Sequence, residues 1–353
     1  LEQEVSEIFN RYAIDAARRF SASAKVDTIS EITSDLSLRR FVRLVFAPGS
    51  APVPSAVLMY YLSTQSAEAG GQNDTPSNTA FVELAPVFQK LSVAVPLIYV
   101  DMPQEKLTLV EDLGDETLGS ALVKDKSSIQ KHLRESIDQL LKIQSADVTG
   151  DCFAYRRFFS EELFLKETLQ YRDYALKGVD GVKQKLVTDF LAWLSTVTSK
   201  RNRCLVHRDF HPWNILVHNE RIRVIDFQDA LIGPLTYDLI SLLNDRDSDS
   251  LIGESNWSEA VEYYLTCSGL GDFGREDILF CSLVRDFKVA GLFIKSKQLR
   301  NLDKYVGWVP GTERRLGRNL RKMFDLKLIP QQFLGVGEAI ATEREDFRSG
   351  YVG

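Results

Sequence analysis

The sequence predicts an α+β fold in two lobes: a strand-rich N-terminal lobe over 1–112, with a leading helix at 1–20, and a helix-rich C-terminal lobe over 113–353. Three features predict it. Short runs rich in Val, Leu, Ile, Phe and Tyr, residues that suit a pleated and half-buried surface, crowd the segment from about 28 to 112. Apolar residues at spacings of three and four dominate from residue 113 onward. One compact β interlude, 205–227, interrupts those helices. Two lobes joined by a narrow connection leave a cleft, the usual seat of a ligand.

Val5, Ile8, Phe9, Tyr12, Ala16 and Phe20 make one face of the opening amphipathic helix. Strands come next at 41–46, 56–61, 95–101 and 106–112, the last two joined by Met102-Pro103-Gln104-Glu105 as a hairpin loop. The Gly/Ser/Asn/Thr-rich stretch 66–79 reads as a mobile surface connection, and 81–91 as a helix. After Leu113-Gly114 the spacing predicts helices over 128–143, 160–174, 183–197, 237–244, 258–267, 277–296 and 313–324. The interlude holds strands at 205–207, 214–218 and 221–227.

A chain of 353 residues, 44% hydrophobic and 26% charged, sits at globular averages, which excludes wholesale disorder. It contains no run of 18 uncharged apolar residues, so no membrane-spanning helix is expected. With 43 Lys+Arg against 49 Asp+Glu, the net charge of −6 gives no electrostatic reason to expect nucleic acid as a partner. The basic cluster Arg314, Arg315, Arg318, Arg321 and Lys322 reads as the solvated face of a helix. No obligate protein partner is evident. Cys152, Cys204, Cys267 and Cys281 stand far apart with no CxxC pair, a spacing that suits core filling in a reducing compartment. The chain opens Leu-Glu-Gln, without a basic stretch leading into an apolar one, and reads as cytoplasmic, with anything before Leu1 left open.

The segment that carries chemistry is Val206-His207-Arg208-Asp209-Phe210-His211-Pro212-Trp213-Asn214, followed by Val224-Ile225-Asp226-Phe227. Asp209 and Asn214 have the five-residue spacing of a kinase catalytic loop, and Asp226 ends a strand-like run twelve residues later. The chemistry accounts for the residue types. A nucleoside triphosphate needs its phosphate oxygens held by Mg²⁺, a hard ion that takes carboxylate and amide oxygens, which Asp226 and Asn214 supply. An acceptor hydroxyl must be aimed at the γ-phosphorus and relieved of its proton, a task for an unliganded carboxylate such as Asp209. His207 braces the loop through a backbone hydrogen bond. Each of these acidic residues taken singly reads equally well as a capping residue before a turn; their joint order points to phosphoryl transfer.

Together with Gln228-Asp229-Ala230 and Gly233-Pro234-Leu235-Thr236-Tyr237-Asp238-Leu239, these residues resemble the aminoglycoside phosphotransferase/choline kinase-like superfamily. More narrowly they resemble its bacterial anomeric N-acetylmuramate/N-acetylglucosamine 1-kinases of cell-wall recycling. Ser34 to Phe41, Leu109 to Asp115 and Arg285 to Val289 fit that group as well, so the resemblance touches most of the chain from about 28 to 325. It implies a bilobal, protein-kinase-like fold, ATP and Mg²⁺ as cofactors, and a small-molecule acceptor, an amino sugar by the narrower resemblance. Arg208 and Asp238 would support the catalytic loop. Ser34, Asp35, Ser37, Arg39 and Arg40 would form the turn over the ATP phosphates, and Glu111 and Leu113, on either side of Asp112, would meet the purine edge, with Leu44, Val57 and Val217 against its faces. Glu161, Glu162, Asp229, Arg285 and Lys288 would serve the acceptor, Arg285 as the cation for a lactyl carboxylate. Other acceptors within the superfamily (an aminoglycoside, choline, homoserine) and a nucleotide-binding pseudokinase stay open.

The sequence departs from the kinase pattern in two places. No G-x-G-x-x-G precedes the second strand, and the strand at 56–61 carries Met59 where the phosphate-pairing Lys is expected. Either Arg39 or Arg40 replaces that charge, or both are exposed strand residues. Gly269-Leu270-Gly271-Asp272-Phe273-Gly274 has the letters of a phosphate loop but comes after a helix, so Gly269 reads as a helix C-cap. Gly291, inside a helical run, reads as a packing site.

Overall fold

An antiparallel sheet of five strands, in the order β1-β2-β3-β5-β4, frames the N-terminal part of the computed structural model: β1 (Val26–Ile32), β2 (Arg39–Phe46), β3 (Ser55–Tyr61), β4 (Ile98–Met102) and β5 (Leu107–Glu111). The structure describes residues 2–32, 39–61, 77–246 and 251–352. Ser34, Asp35 and Ser37, and most of the loop 66–79, lie outside these. The chain divides into two units, Leu1–Thr117 with Ile215–Asp229, and Leu118–Asn214 with Ala230–Gly353.

In the first unit, alternation along the strands sends Val42, Leu44, Phe46, Leu58, Tyr60, Leu107 and Leu109 into one core. Helix α1 (Glu2–Phe20) covers it, its small Ala13, Ala16 and Ala17 allowing close approach to the sheet. Leu44 belongs to this core and is fully buried, so it does not face a ligand. Strand β1 carries no apolar run and is mostly exposed, which hides it from a reading based on hydrophobic pattern. Helix α2 (Ser77–Lys90) comes after β3.

The lobes read from sequence meet at 112/113; the units part after Thr117, and the first takes back 215–229. The physical reason is the hairpin of β7 (Ile215–His218) and β8 (Arg221–Val224), which bonds the first unit by Val217 N to Glu116 O at 2.8 Å and Val224 N to Ala94 O at 2.7 Å. Phe227 then stacks on Phe81 of α2, ring centroids 4.6 Å apart. Asp226 is thereby built into the first unit.

The second unit is helical: α3 (Leu118–Lys124), α4 (Ile129–Gln144), α5 (Glu161–Ala175), α6 (Gly181–Ser199), α7 (Tyr237–Leu243), α8 (Glu254–Ser268), α9 (Gly271–Arg300), α10 (Val309–Asp325), α11 (Val336–Ala341) and α12 (Glu345–Val352). Two short strands, β6 (Arg203–Val206) and β9 (Leu231–Pro234), pair antiparallel beside them. Helix α9 is central. Its Gly291 lies against α5 so closely that a Cβ there would meet Tyr171 N at 2.4 Å, which makes it a packing site. Gly269 caps α8 in the left-handed conformation, φ 71°, and the next residues, Gly271-Asp272-Phe273-Gly274, are the first turn of α9.

Two expectations are corrected here. Arg315 does not belong to a solvated face: it is buried and ion-paired to fully buried Asp286 at 2.8 Å, while Arg314, Arg318, Arg321 and Lys322 are exposed. Cys152, Cys204 and Cys281 are buried free thiols, but Cys267 is exposed. Among the described residues no helix is long and apolar enough to cross a membrane.

Candidate active site

The loop 207–214 leaves β6 and is held from behind by a buried carboxylate. Asp238, at the start of α7 and wholly buried, accepts hydrogen bonds from His207 N at 2.5 Å and Arg208 N at 3.0 Å. Such a brace is needed because Arg208 adopts a left-handed backbone, φ 78°, which a non-glycine residue holds only when its surroundings impose it. Burial pushes the Asp238 carboxyl up to about 6, against the pull of the His207 and Arg208 contacts. The loop closes on itself through His211 N to Asp209 O and Asn214 N to His211 O, both 2.9 Å. Asn214 Nδ2 donates to Asp209 O at 3.1 Å, which fixes the orientation of its amide.

Around the half-buried Asp209 side chain the second unit gathers cations. Lys288 Nζ, from α9, stands 3.9 Å from Asp209 Oδ1, 3.2 Å from Glu167 Oε1 and 3.4 Å from Tyr237 OH. Arg208 Nη2 donates to the same Glu167 oxygen at 2.9 Å. Desolvation raises the Asp209 carboxyl, but the charges of Lys288, Arg208, His211 and Arg285 outweigh it and hold the group well below the usual carboxylate range. The aspartate is therefore ionised at any pH near neutrality.

Sequence reasoning missed Glu167 as the anchor of this network. The signal was present: Phe164, Glu167, Thr168 and Tyr171 form the buried stripe of α5, so a carboxylate sits at a core position of a helical pattern. Lys288 occupies the equivalent place between Val284 and Gly291 on α9. Glu161 and Glu162, expected near the acceptor, occupy the first turn of α5, where they suit the helix dipole. The Ser160 hydroxyl and a backbone N–H hold the Glu162 carboxyl low. Neither joins the Asp209 network. Arg285 is 1% exposed and reaches Asp245 Oδ1 at 3.2 Å.

In the first unit Asp226, two residues beyond β8, has a left-handed backbone, φ 65°, and a partly exposed carboxylate. Arg39 forms an ion pair with it, donates to Gln228 Oε1 at 2.7 Å, and passes 3.7 Å from Met59 Sδ. Arg39 is 5% exposed and not an exposed strand residue, whereas Arg40 lies at the surface paired with Glu31. Gln228 Nε2 also donates to Asp226 and Asp229, each at 3.2 Å. At the 111–113 connection, Glu111 pairs with Arg223 at 2.5 Å, its backbone N–H bonds Leu97 O, and Leu113 O lies 2.9 Å from His218 Nδ1. Those groups are engaged within the unit.

Among the described residues no cluster of three or more His, Cys, Asp or Glu side chains forms a metal cage. The side-chain oxygens of Asn214 in the second unit and of Asp226 in the first are each hard donors of the kind that Mg²⁺ takes.

A family model, APH, the phosphotransferase enzyme family, matches residues 51–269. The N-acetylmuramate/N-acetylglucosamine kinase of Neisseria meningitidis serogroup B (strain MC58) is 26% identical over 317 residues, covering 83% of this chain and 86% of that protein. The kinase of the same description from Pseudomonas aeruginosa (strain PAO1) is 28% identical over 248 residues, 65% of this chain and 70% of that one. Among solved structures, ADP-bound aminoglycoside phosphotransferase APH(2'')-Ib aligns with a TM-score of 0.57 at 16% identity over 98% of this chain and 99% of that chain. Choline kinase from Streptococcus pneumoniae aligns with a TM-score of 0.57 at 13% identity, over 89% and 99%. These two likenesses establish the shared bilobal α+β fold, and the family model, which matches more than half of the chain, shows that it belongs to the phosphotransferase enzyme family.

Proposed function

We propose that the protein is an ATP- and Mg²⁺-dependent cytoplasmic kinase for an amino sugar, transferring the γ-phosphoryl group to the anomeric hydroxyl of N-acetylmuramate or N-acetylglucosamine in cell-wall sugar recycling. The observation that carries the reading is the Asp209 loop: a carboxylate kept ionised by surrounding cations, with Asn214 five residues on and Asp226 beyond it. The names of the two relatives at 26% and 28% identity support the acceptor.

In this reading Asp209 accepts a hydrogen bond from the acceptor hydroxyl, aims its oxygen at the γ-phosphorus and takes its proton. A bond forms from sugar oxygen to phosphorus, the bond from phosphorus to the β–γ bridging oxygen breaks, and ADP leaves. A carboxylate this strongly ionised is a weak base, so its larger service is orientation, and it receives the proton only as the transfer proceeds. That suits an anomeric hydroxyl, which is more acidic than an ordinary alcohol. Asn214 and Asp226 would hold Mg²⁺, which neutralises phosphate charge when bound. Arg39, lying over Met59, would take the place of the missing lysine and pair with phosphate, with Ser34, Asp35, Ser37 and Arg40 nearby in sequence. Val57, Val217 and the 111–113 connection would receive the purine, and Asp229 and Arg285 would serve the acceptor.

The test is ADP release from Mg²⁺-ATP over a panel of N-acetylmuramate, N-acetylglucosamine, glucose, choline, homoserine and kanamycin. Sugar-dependent release with an acid-labile phosphate on the product supports the reading. The Arg39–Asp226 pair favours a second reading, a nucleotide-binding pseudokinase, because it engages a carboxylate needed for metal. Nucleotide binding with no turnover of any acceptor would select it.

A further inference from the structure

Three groups of paired charges in the second unit involve helix α9. Lys288 and Arg208 face Glu167 and Asp209, two cations against two carboxylates. Arg315 meets Asp286 one to one. In the third group Arg246 Nε lies 3.4 Å from Asp245 Oδ2 and Arg285 Nη2 lies 3.2 Å from Asp245 Oδ1, while Arg285 also feels the charges of Asp209 and Asp238; Asp245 is the carboxylate that both guanidiniums share.

Both arginines also have unused donors. Arg285, 1% exposed, leaves Nε and Nη1 without a hydrogen-bond partner, a rare state for buried polar atoms. Arg246 makes its ion pair through Nε, and its two terminal nitrogens bond none of the described residues. Its Cζ lies 4.9 Å from the centre of the Trp213 ring and 4.8 Å from that of Trp308. Two indole rings at that distance hold a guanidinium by cation–π attraction and fix its plane. Its backbone is left-handed, φ 48°, a conformation that a non-glycine residue adopts at a cost and that recurs at ligand clamps.

This cluster adjoins the catalytic loop. Trp213 is the residue before Asn214, and the His211 imidazole feels the charges of Asp245, Asp209, Arg285 and Arg246. A planar guanidinium with a free edge is the group that takes a carboxylate through two parallel hydrogen bonds.

We propose that Arg246, sharing its counter-ion with Arg285, forms the subsite for a carboxylate on the acceptor. The preferred sugar is then one bearing an acid side chain, N-acetylmuramate over N-acetylglucosamine. The assignment rests on the sugar-kinase reading and moves the acid-recognising role from Arg285 alone to the pair.

The experiment compares kcat/KM for N-acetylmuramate, its uncharged methyl ester and N-acetylglucosamine in the wild type, Arg246→Gln and Arg246→Lys. The wild type is expected to favour the acid over its ester by about tenfold to a hundredfold, the worth of a charge-assisted fork. Arg246→Gln is expected to level acid and ester, mainly through KM, and Arg246→Lys to restore part of the difference because charge returns without the fork. Equal use of acid and ester by the wild type, a comparison that needs no variant to fold, would overturn the subsite. So would a preference that survives Arg246→Gln. If the wild type phosphorylates none of the three, and choline or kanamycin instead, the sugar-kinase reading itself is overturned.

Discussion

Arg39 and Asp226, 187 positions apart in sequence, form an ion pair inside the first unit. The pairing register of β2 and β3 sets Phe41 opposite Met59, which brings the Arg39 side chain across the residue standing where a kinase lysine is expected. A cation is thus restored from the neighbouring strand. If it serves the nucleotide phosphates, Arg39→Met is expected to raise KM for ATP by about tenfold or more, and Arg39→Lys by less, since charge is kept and bidentate geometry lost. Separate determination of KM and kcat checks this. An unchanged KM for ATP in Arg39→Met would leave Arg39 as a structural partner of Asp226 only.

Lys288 joins stability to the site. Glu167 is 8% exposed and depends on Lys288 and Arg208 for its counter-charge. Replacing Lys288 by Met leaves that carboxylate undercompensated, and breaking such a buried pair costs about 3 kcal/mol. The expected results are a Tm lower by several degrees and a kcat reduced along with it. The double variant Lys288→Met/Glu167→Leu is expected to regain part of the stability, because no stranded charge remains, without regaining turnover. Thermal melts and kinetics on the same samples separate the two effects. An unchanged Tm in the single variant contradicts this role for Lys288.

Asp238 sets the acid side of the pH dependence. Its carboxyl, pushed by burial from 3.8 to about 6, keeps a proton in the native state between those values that the unfolded chain has released. Its contribution to stability is therefore full below about 3.8 and is lost as pH rises through about 6. Activity runs the other way, because the ionised form is the better acceptor for the His207 and Arg208 N–H groups that shape the loop. Asp209, held low, stays ionised across this window. The expected kcat profile has an acid limb near pH 6 that Asp238→Asn removes. A limb near pH 4 in the wild type would assign it to an ordinary carboxylate instead.

What could be read in the sequence was mostly local. The segment 206–214, proposed as the catalytic loop, is nine consecutive residues, and its five-residue Asp209–Asn214 spacing survives without knowledge of the fold. Helices with a clear apolar stripe, such as α4 and α10, were legible for the same reason. Partnerships across the chain were not. The β7–β8 hairpin joins the first unit through Glu116, Ala94 and Phe81, contacts that no periodicity announces. Arg315 looked solvated because its neighbours Arg314 and Arg318 are; only Asp286 on another helix shows otherwise. Glu161 and Glu162 stand at a helix start, while Glu167, which pairs with Lys288 and Arg208, lay hidden in an apolar stripe. Strand β1 is mostly exposed, and its Val26, Ile29 and Ile32 stand three apart and do not alternate as a half-buried strand would.

The most direct measurement is phosphoryl transfer from Mg²⁺-ATP to N-acetylmuramate, monitored as ADP and sugar phosphate together, in the wild type and in Asp209→Asn. The wild type is expected to give one acid-labile sugar phosphate for each ADP released. Asp209→Asn is expected to show a kcat lower by about 10²–10⁴-fold, with nucleotide still bound. Full turnover by Asp209→Asn would contradict the role assigned to that carboxylate.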